Sequence, residues 1–445
     1  MMTVVQKIYD YAQGIMGKGL DNGECEDIKK RIADSIFVAY GARNAKPVKI
    51  AKSALLPSCG KLNSRIYFSK TRASADVAAF INGSMTRYLD YNDTYLSKEA
   101  LHPSDNIPPI LSAADSAEVD GKSALKAIKV AYQVVCSLAD AVSIRDRGWD
   151  HVTYVSISSA AGLASLLGLD QKKFQNALSL GINNNISMRQ TRAGELSMWK
   201  GCTVADAGRN SVFAALLAMD GMTGPAPIFE GEMGFFKQVS GKFKLDLKSD
   251  KLHKTMIKNH PVEYHAMSGV DAAISIRKRV QGDIKRIKVN TFNVAYNIIV
   301  KDPEKFAPKT KETADHSLPY IIAYTLAYGA PTPESYSEKY LSDKKIRSMM
   351  GKMDFVISKE FNSLYPEYLP ISIEVITSKG IVDEEVRVPK GHFKDPYSWA
   401  DLKNKGVKLI RDENLVNDII KVSKTIEKRS VSELFDVIQN VDAKR

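Results

Sequence analysis

The sequence lacks the long apolar segments of a membrane protein and the leader of a secreted one. None of its apolar runs approaches the roughly 18 to 20 residues that a transmembrane helix needs. Residues 1–7 lack the charged start and apolar middle of a secretory signal. The 445 residues, 44% hydrophobic and 26% charged, have an ordinary globular composition and suffice for two or three domains. We therefore expect a soluble cytoplasmic protein with no membrane partner.

Cysteine and histidine are few and widely spaced. The four cysteines, Cys25, Cys59, Cys136 and Cys202, include no CxxC pair, which argues against a zinc site, an iron–sulfur cluster and a disulfide scaffold. The seven histidines include no HExxH motif or other close metal-ligand pair. We therefore expect buried thiols in a reducing compartment, and chemistry that uses no metal and no cofactor.

The charge of the chain is basic, but its basic residues are not clustered. There are 63 lysines and arginines against 51 aspartates and glutamates, a formal net charge of +12. The lysines are scattered, with no arginine-rich arm and no basic stripe studded with aromatic residues, so we expect no nucleic-acid partner. Attraction of small polyanions fits the charge equally well. A non-catalytic basic binding protein is kept as a remote alternative.

The spacing of apolar residues predicts a mainly α fold. From residue 4 to about 260, apolar residues recur at three- and four-residue spacing, typical of amphipathic helices. Residues 152–167 are rich in Ser, Ala and Gly, and small residues let helices approach closely, so we expect this helix in the centre of a bundle.

After about residue 262 the pattern becomes mixed. Strand-like alternation occurs at 284–292, 371–377 and 381–388, between helical segments, and Ser378-Lys-Gly380 predicts a hairpin with a three-residue turn. From Ser398 the chain reads as helical again. We predict a discontinuous helical-bundle domain, residues 1–262 plus 397–445, with an inserted smaller α+β lid domain, residues 263–396. The cleft between two such domains is the natural place for a ligand.

One polar stretch lies between two segments that read as apolar helices. It runs from Arg87-Tyr-Leu-Asp-Tyr-Asn-Asp-Thr-Tyr95 to Leu101-His-Pro-Ser-Asp105. A buried cluster of this kind costs free energy unless its groups are paired or used. The alternative interpretation is a polar loop whose aspartates cap helices. Its candidate polar residues are Arg87, Asp90, Asp93, Thr94, His102 and Asp105.

Five further segments concentrate histidines, lysines and arginines beside hydroxyl groups. Taken singly, they can be helix caps, a core histidine or a lysine packed on an aromatic ring. Taken together, they would form a pocket for a molecule that bears several carboxylates, in which a histidine moves a proton. The segments are 147–154, 189–201, 260–265, 309–320 and 389–396.

These residues resemble the signature of the MmgE/PrpD family. The polar stretch is joined by collinear matches over essentially the whole chain: Gly194-Glu-Leu-Ser-Met-Trp-Lys-Gly201, Asp302-Pro-Glu-Lys-Phe306, Thr313-Ala-Asp-His-Ser-Leu-Pro-Tyr320 and Pro389-Lys-Gly-His392. The family includes 2-methylcitrate dehydratases, cis-aconitate decarboxylases and an epimerase of iminodisuccinate. The resemblance implies a helical bundle with an α+β lid, a homodimer, and no need for a metal.

The resemblance also implies a set of site residues. The proposed catalytic residues are Asp90, Thr94, His102, Lys200 and His265, and His151 is implied at the start of a helix. From the polar segments themselves we add Arg192 and Tyr154 to His151 as residues that bind substrate. Met267 stands where the dehydratases usually have glutamine.

The loop at 194–201 and Arg147-Gly-Trp-Asp-His151 look most like those of the dehydratases. The implied function is metal-independent dehydration of the tricarboxylate 2-methylcitrate to 2-methyl-cis-aconitate in propionate catabolism. Citrate or isocitrate dehydration, cis-aconitate decarboxylation and epimerisation are alternatives on the same scaffold, because each needs a base beside a carboxylated carbon.

Overall fold

A computed structural model describes residues 2–55, 64–194 and 196–439 of the protein. Cys59 lies outside the described residues, so the prediction of a buried thiol there is not addressed. Contacts divide the chain into two compact units. The first comprises Met1–Arg192, Trp199–Ile257 and Ser398–Arg445, and the second comprises Ala193–Met198 and Lys258–Tyr397.

The mainly α prediction is confirmed for the described residues. The inserted lid domain and its bounds stay a prediction. Among the described residues, no helix is both long enough and apolar enough to cross a membrane.

The first unit is built from helices and one short two-stranded sheet. Aspartates cap several helices: Asp21 and Asp120 each accept a hydrogen bond from a backbone N–H in the first turn, which satisfies a donor that the helix leaves open. In chain order, the elements up to residue 219 are α1 (Val4–Lys18), α2 (Asn22–Ala42), α3 (Lys46–Leu55), β1 (Ser64–Arg65), β2 (Arg72–Ala73), α4 (Ala75–Tyr88), α5 (Ile107–Ser116), α6 (Gly121–Ala141), α7 (Val152–Leu166), α8 (Gln171–Asn183) and α9 (Thr203–Met219).

Helix α7 lies in the interior of this unit, as its small residues predicted. All of its residues are buried. A Cβ atom added at Gly162 would lie 2.9 Å from the Ala127 carbonyl oxygen of α6 and 3.1 Å from the Ala131 Cβ. Only glycine therefore permits α6 and α7 to pack this closely.

The prediction of nearly continuous helix up to residue 260 is wrong beyond α9. Residues 220–257 run as loops, with only short turns at Phe236–Ser240 and Leu252–Lys254. Glycines and prolines recur in this segment, and both disfavour a helix interior. The segment is nevertheless attached to the rest of the unit, since Thr94 and Met256 exchange two backbone hydrogen bonds of 2.8 Å.

The second unit combines a four-stranded sheet with helices. The strand order is β4-β3-β5-β6, with β3 and β4 parallel and the other pairs antiparallel. Alternate residues of β5 are buried, the pattern of a strand with one face on a core. Its elements are α10 (Met267–Arg279), β3 (Ile284–Thr291), α11 (Asn293–Ile299), α12 (Lys311–Ala314), α13 (Leu318–Tyr328), α14 (Glu338–Leu341), α15 (Lys344–Met350), β4 (Met353–Ile357), α16 (Lys359–Leu364), β5 (Ile371–Thr377) and β6 (Gly380–Val386).

Two details of this sheet differ from the prediction. Strand β4 was not predicted, because Met353–Ile357 is short and directly follows a helix. The hairpin turn has two residues rather than three, since Thr377 pairs with Gly380 and leaves Ser378 and Lys379 as the turn.

Three helices of the first unit complete the chain: α17 (Trp399–Ile410), α18 (Glu413–Lys424) and α19 (Val431–Ile438). Helix α17 packs against α2 through a buried ion pair, in which Lys405 Nζ lies 2.6 Å from Asp34 Oδ1. Lys405 also donates a 2.8 Å hydrogen bond to the Tyr91 carbonyl. The C-terminal helices are thereby joined to the segment that carries the polar stretch.

Candidate active site

Four helix ends of the first unit gather the predicted polar residues. Asp90 follows the C-terminus of α4, His102 precedes the short turn that leads into α5, His151 precedes α7, and Lys200 lies in the turn before α9. Three of these positions are at helix N-termini, where backbone N–H groups point outward and the helix dipole favours negative charge.

Asp90 lies between two cations. Its Oδ1 accepts a 2.6 Å hydrogen bond from Arg87 Nη1, and its Oδ2 is 3.4 Å from Lys200 Nζ. All three side chains are buried. Asp90 also has a φ of +51°, a left-handed conformation that few residues other than glycine, asparagine and aspartate adopt readily. The backbone is held in a sparsely populated conformation at the residue whose carboxylate joins the cluster.

His102 has a defined tautomer. Its Nδ1 lies 2.7 Å from the Asp93 carbonyl oxygen, which can only accept, so Nδ1 carries the proton of the neutral ring. The hydroxyl of Thr94 is 3.3 Å from the same nitrogen. The other ring nitrogen, Nε2, lies 3.7 Å from Asp90 Oδ1. Nε2 of the neutral ring is therefore a proton acceptor beside the Asp90 carboxylate.

Lys200 reaches Asp90 because its turn packs closely on α4. A Cβ at Gly201 would lie 3.0 Å from Cδ2 and 3.3 Å from Cα of Tyr88, so a larger residue would push the turn away. Trp199, next to it, packs near Phe80 of α4 with ring centroids 6.2 Å apart and remains half exposed. The alternative that Lys200 is a surface lysine packed on an aromatic ring is therefore wrong, because its side chain is buried.

The remaining aspartates of the polar stretch hold its loop together. Asp93 accepts hydrogen bonds of 2.8 Å from the Ser104 N–H and from the Tyr132 hydroxyl. Asp105 accepts a 2.9 Å bond from Asn92 Nδ2. Burial raises the pKa of Asp105 to about 7, against the lowering effect of Arg87. These contacts give Asp93 and Asp105 a structural role in the loop.

His151 is held by a carboxylate that sequence reasoning assigned only to helix capping. Its Nδ1 lies 3.3 Å from Asp150 Oδ1, and Arg192 Nε donates a 2.7 Å bond to Asp150 Oδ2. Burial alone would raise the pKa of Asp150, but the positive charge of Arg192 and the hydrogen bond from the Val152 N–H hold it at about 2. Burial lowers the pKa of His151 well below its usual value, so this ring is neutral. Its ring centroid is 6.1 Å from that of His102.

Tyr154, predicted to bind substrate, has its hydroxyl engaged elsewhere. The hydroxyl donates a 2.7 Å hydrogen bond to the Val142 carbonyl, and the ring belongs to the hydrophobic core. The structure thus brings together Asp90, Thr94, His102 and Lys200, places His151 and Arg192 beside Asp150, and satisfies the Tyr154 hydroxyl with backbone.

His265, in the second unit, has partners on both ring nitrogens. Nδ1 is 2.7 Å from Glu263 Oε1, and Nε2 is 3.2 Å from the Tyr365 hydroxyl. The other carboxylate oxygen of Glu263 accepts a 2.8 Å bond from the His265 backbone N–H. Burial alone would raise the pKa of Glu263, but His265, His316 and Lys258 hold it at about 2. Phe292 stacks on Tyr365 with ring centroids 4.7 Å apart, and these centroids lie 5.7 Å and 5.6 Å from that of His265.

Sequence reasoning did not assign a site role to Arg87, Asp150, Glu263 or Tyr365. Asp150 directly precedes His151, and Glu263 lies two residues before His265. This proximity to a predicted site histidine could have indicated a role for both carboxylates. Tyr365 is one hundred residues away from His265 in the chain, and only folding brings the two together.

The first-unit cluster has the groups that proton abstraction beside a carboxylate requires. It offers an imidazole nitrogen that accepts a proton, an ammonium and a guanidinium that stabilise negative charge, and a carboxylate between them. Burial strengthens each of these interactions, because little water is present to screen them.

The chain is similar to known proteins over most of its length. Models of the MmgE/PrpD N-terminal domain and the MmgE/PrpD C-terminal domain match residues 6–248 and 260–423. A 2-methylcitrate dehydratase from Escherichia coli is 31% identical over 346 residues, which cover 71% of each chain. A mitochondrial 2-methylcitrate dehydratase from Yarrowia lipolytica is 30% identical, covering 71% of this chain and 66% of the relative. An alkylcitrate dehydratase from a fungal species is 27% identical, covering 72% and 69%.

Proposed function

The chain belongs to the MmgE/PrpD family, and we propose that it is a carbon–oxygen lyase that dehydrates 2-methylcitrate to 2-methyl-cis-aconitate in propionate catabolism. The names of its relatives support this substrate. The observation that carries the proposal is the approach of His102 Nε2 to within 3.7 Å of Asp90 Oδ1, with Lys200 and Arg87 on the same carboxylate.

In the first half of the reaction a C–H bond next to a carboxylate breaks. His102 Nε2 is the atom that exchanges protons with the substrate, because Nδ1 donates to the Asp93 carbonyl. Negative charge then develops on the neighbouring carboxylate, and preorganised cationic or hydroxyl groups lower the barrier. Lys200, Arg192 and Thr94 are the groups that we assign to this task.

In the second half the C–O bond breaks, the C=C bond forms, and hydroxide leaves. Hydroxide is a poor leaving group, so a proton must reach it to give water. We propose that His102 and Asp90 share these proton transfers, since the two side chains adjoin. His151 and His265 bind substrate carboxylates or relay protons. Glu263 and Tyr365 fix the orientation of the His265 ring.

Product analysis tests the proposal. Purified protein is incubated separately with 2-methylcitrate, citrate, isocitrate and cis-aconitate, and products are identified by NMR. Formation of 2-methyl-cis-aconitate as the fastest reaction supports the proposal. Faster dehydration of citrate or isocitrate, carbon dioxide release from cis-aconitate, or inversion without loss of water would each replace it with another reaction on this scaffold.

A non-catalytic role gives a different result. A basic binding protein would turn over none of these acids and would be retained on DNA at physiological ionic strength, with retention falling steeply as salt rises. Turnover of a tricarboxylate together with weak retention would exclude that role.

We propose that catalysis needs no metal and that the enzyme acts as a cytoplasmic homodimer. Activity should survive dialysis against a chelator, and loss of activity that added iron or zinc restores would contradict the first point. Light scattering after size-exclusion chromatography should give twice the chain mass of 49.2 kDa. A mass equal to one chain would contradict the second point.

A further inference from the structure

Two arginines of one short turn lie against the start of helix α7. The turn Arg189–Arg192 is anchored by backbone hydrogen bonds: Arg189 N–H donates to the Gly148 carbonyl at 2.9 Å, and Asp150 N–H donates to the Ser187 carbonyl at 2.8 Å. The Thr153 hydroxyl also accepts a 3.0 Å bond from the Ser187 N–H. The turn therefore has a fixed position beside Asp150 and His151.

The charges at this place do not balance. Asp150 is fully buried and faces the guanidinium of Arg192, with Nε to Oδ2 at 2.7 Å. Among the residues that the structure describes, Arg189 has no carboxylate within ion-pair distance and its side chain makes no hydrogen bond. Glu99 and Arg145 also act on Arg189 with opposite charges that cancel, so the two guanidiniums and the Asp150 carboxylate leave an excess of one positive charge.

Two buried nitrogen atoms next to this carboxylate also lack a partner in the described part of the chain. They are Nη2 of Arg192, whose side chain is only 10% exposed, and Nε2 of His151. A buried guanidinium N–H without an acceptor costs free energy, and native proteins rarely leave one unsatisfied. A bound carboxylate would supply the acceptor that Nη2 of Arg192 lacks.

We propose that Arg189 and Arg192 form a subsite for one carboxylate of the substrate, with Asp150 as the positioning residue that orients Arg192. One excess positive charge matches one carboxylate, and guanidinium N–H groups bind that planar group with directional bonds. The His102 ring lies 6.1 Å from the ring of His151, so the subsite adjoins the proposed proton-transfer residues. The identity of the substrate rests on the proposed function, whereas anion binding at the arginines does not.

The test separates binding from turnover. Tricarballylate has the three carboxylates of citrate without the hydroxyl, so it cannot be dehydrated, and its affinity is measured by isothermal titration calorimetry. Arg189→Gln should weaken its binding by about tenfold to a hundredfold, the usual range for a lost charge-assisted hydrogen bond. Arg209→Gln is the matched control. It removes a half-buried arginine paired with Asp206 on α9 and should change the affinity by less than about twofold.

Arg189→Gln leaves the Asp150–Arg192 pair intact, so we expect its thermal midpoint to match that of the wild type. Arg192→Gln leaves Asp150 unpaired and should also lower the midpoint. Arg192→Lys should retain the fold but recover only part of the affinity, because an ammonium cannot replace the guanidinium fork.

Kinetics give a second readout. With 2-methylcitrate, Arg189→Gln should raise KM by about tenfold to a hundredfold and change kcat by less than about threefold. This is the result expected for a contact that stabilises the ground state and the transition state equally. Unchanged tricarballylate affinity in a folded Arg189→Gln variant overturns the subsite. If the wild type binds tricarballylate through Arg189 but dehydrates none of the acids, the subsite stands and the proposed function fails.

Discussion

His102 in the first unit and His265 in the second are both buried histidines, yet their surroundings differ. His102 is fixed through Nδ1 by the backbone carbonyl of Asp93, and Nε2 approaches a carboxylate only at 3.7 Å. His265 is fixed through Nδ1 by the Glu263 carboxylate at 2.7 Å, and the Tyr365 hydroxyl lies 3.2 Å from its Nε2. The His102 ring is oriented by a hydrogen bond at Nδ1, whereas the His265 ring has a close partner at each of its two nitrogens.

The difference separates a proton-transfer residue from a positioned binding residue. A catalytic base needs a nitrogen whose lone pair is directed to the substrate, while a second nitrogen fixes the ring. We propose that Nε2 of His102 plays this part, since the Asp93 carbonyl fixes Nδ1. A histidine with a charged acceptor on one nitrogen and a hydroxyl on the other is better suited to present a defined hydrogen-bonding surface. We therefore expect replacement of His102 to affect mainly kcat and replacement of His265 to affect mainly KM.

The largest effect should come from His102→Ala. Loss of the proton-accepting nitrogen should reduce kcat by about a thousandfold or more, at the upper end of what general acid–base groups contribute. The thermal unfolding midpoint should stay near that of the wild type. A folded variant with full activity would remove His102 from the mechanism.

Asp90 should come next. Asp90→Asn should lower kcat by about a hundredfold, because the amide keeps the shape of the carboxylate but loses its charge between Arg87 and Lys200. Asparagine tolerates the left-handed backbone at this position, with φ of +51°, so the fold should be retained. Asp90→Ala adds backbone strain and should lower the unfolding midpoint as well. Equal midpoints for the two variants would contradict the strain argument.

A smaller effect is expected at the second histidine. His265→Asn should lower kcat/KM by about tenfold to a hundredfold, mainly through KM, because we assign it to carboxylate binding. Tyr365→Phe keeps the ring stacked on Phe292 and removes only the hydroxyl at 3.2 Å, so it should cost about threefold. If His265→Asn lost as much kcat as His102→Ala, the two histidines would not have the different roles that we assign to them.

Glu263 provides a test by acid unfolding. Its pKa is about 2 in the folded protein, against an ordinary value of 4.5, because the hydrogen bond with His265 and the charge of Lys258 stabilise the carboxylate although burial opposes it. A depressed pKa contributes stability that is present above about pH 4.5 and is lost as the pH falls towards about 2. Glu263→Gln should therefore unfold more easily than the wild type at about pH 6, by about 3 kcal/mol. Urea midpoints at about pH 6 and about pH 3 should show the gap shrinking, and a constant gap would contradict the assignment.

Much of the fold follows from local sequence patterns, and the misses have physical reasons. Helices α7 and α9 were predicted because their apolar and small residues repeat over four or more turns. Strand β4 is only five residues long, too short for a clear alternation. Residues 220–257 contain apolar residues without a regular period, and their glycines and prolines favour loops.

The residues of the candidate active site that lie in one short segment could be predicted from the sequence. Asp90, Thr94 and His102 lie within thirteen positions of one another, and the structure brings them together. The residues that form hydrogen bonds or ion pairs with the histidines were harder to predict. Asp150 looked like a helix cap, and only the packing of the Arg189–Arg192 turn on α7 shows that it pairs with an arginine and a histidine. Tertiary contact, rather than local pattern, decides such roles.

Hydrogen exchange at the substrate carbon tests the central assignment most directly. The protein is incubated with 2-methylcitrate and 2-methyl-cis-aconitate at equilibrium in deuterium oxide, and deuterium at the proton-losing carbon is followed by NMR. The wild type should introduce deuterium there, and His102→Ala should introduce essentially none, while Tyr365→Phe should remain within about threefold of the wild type. Deuterium incorporation by His102→Ala at the wild-type rate would contradict the assignment of His102 Nε2 as the atom that removes the proton.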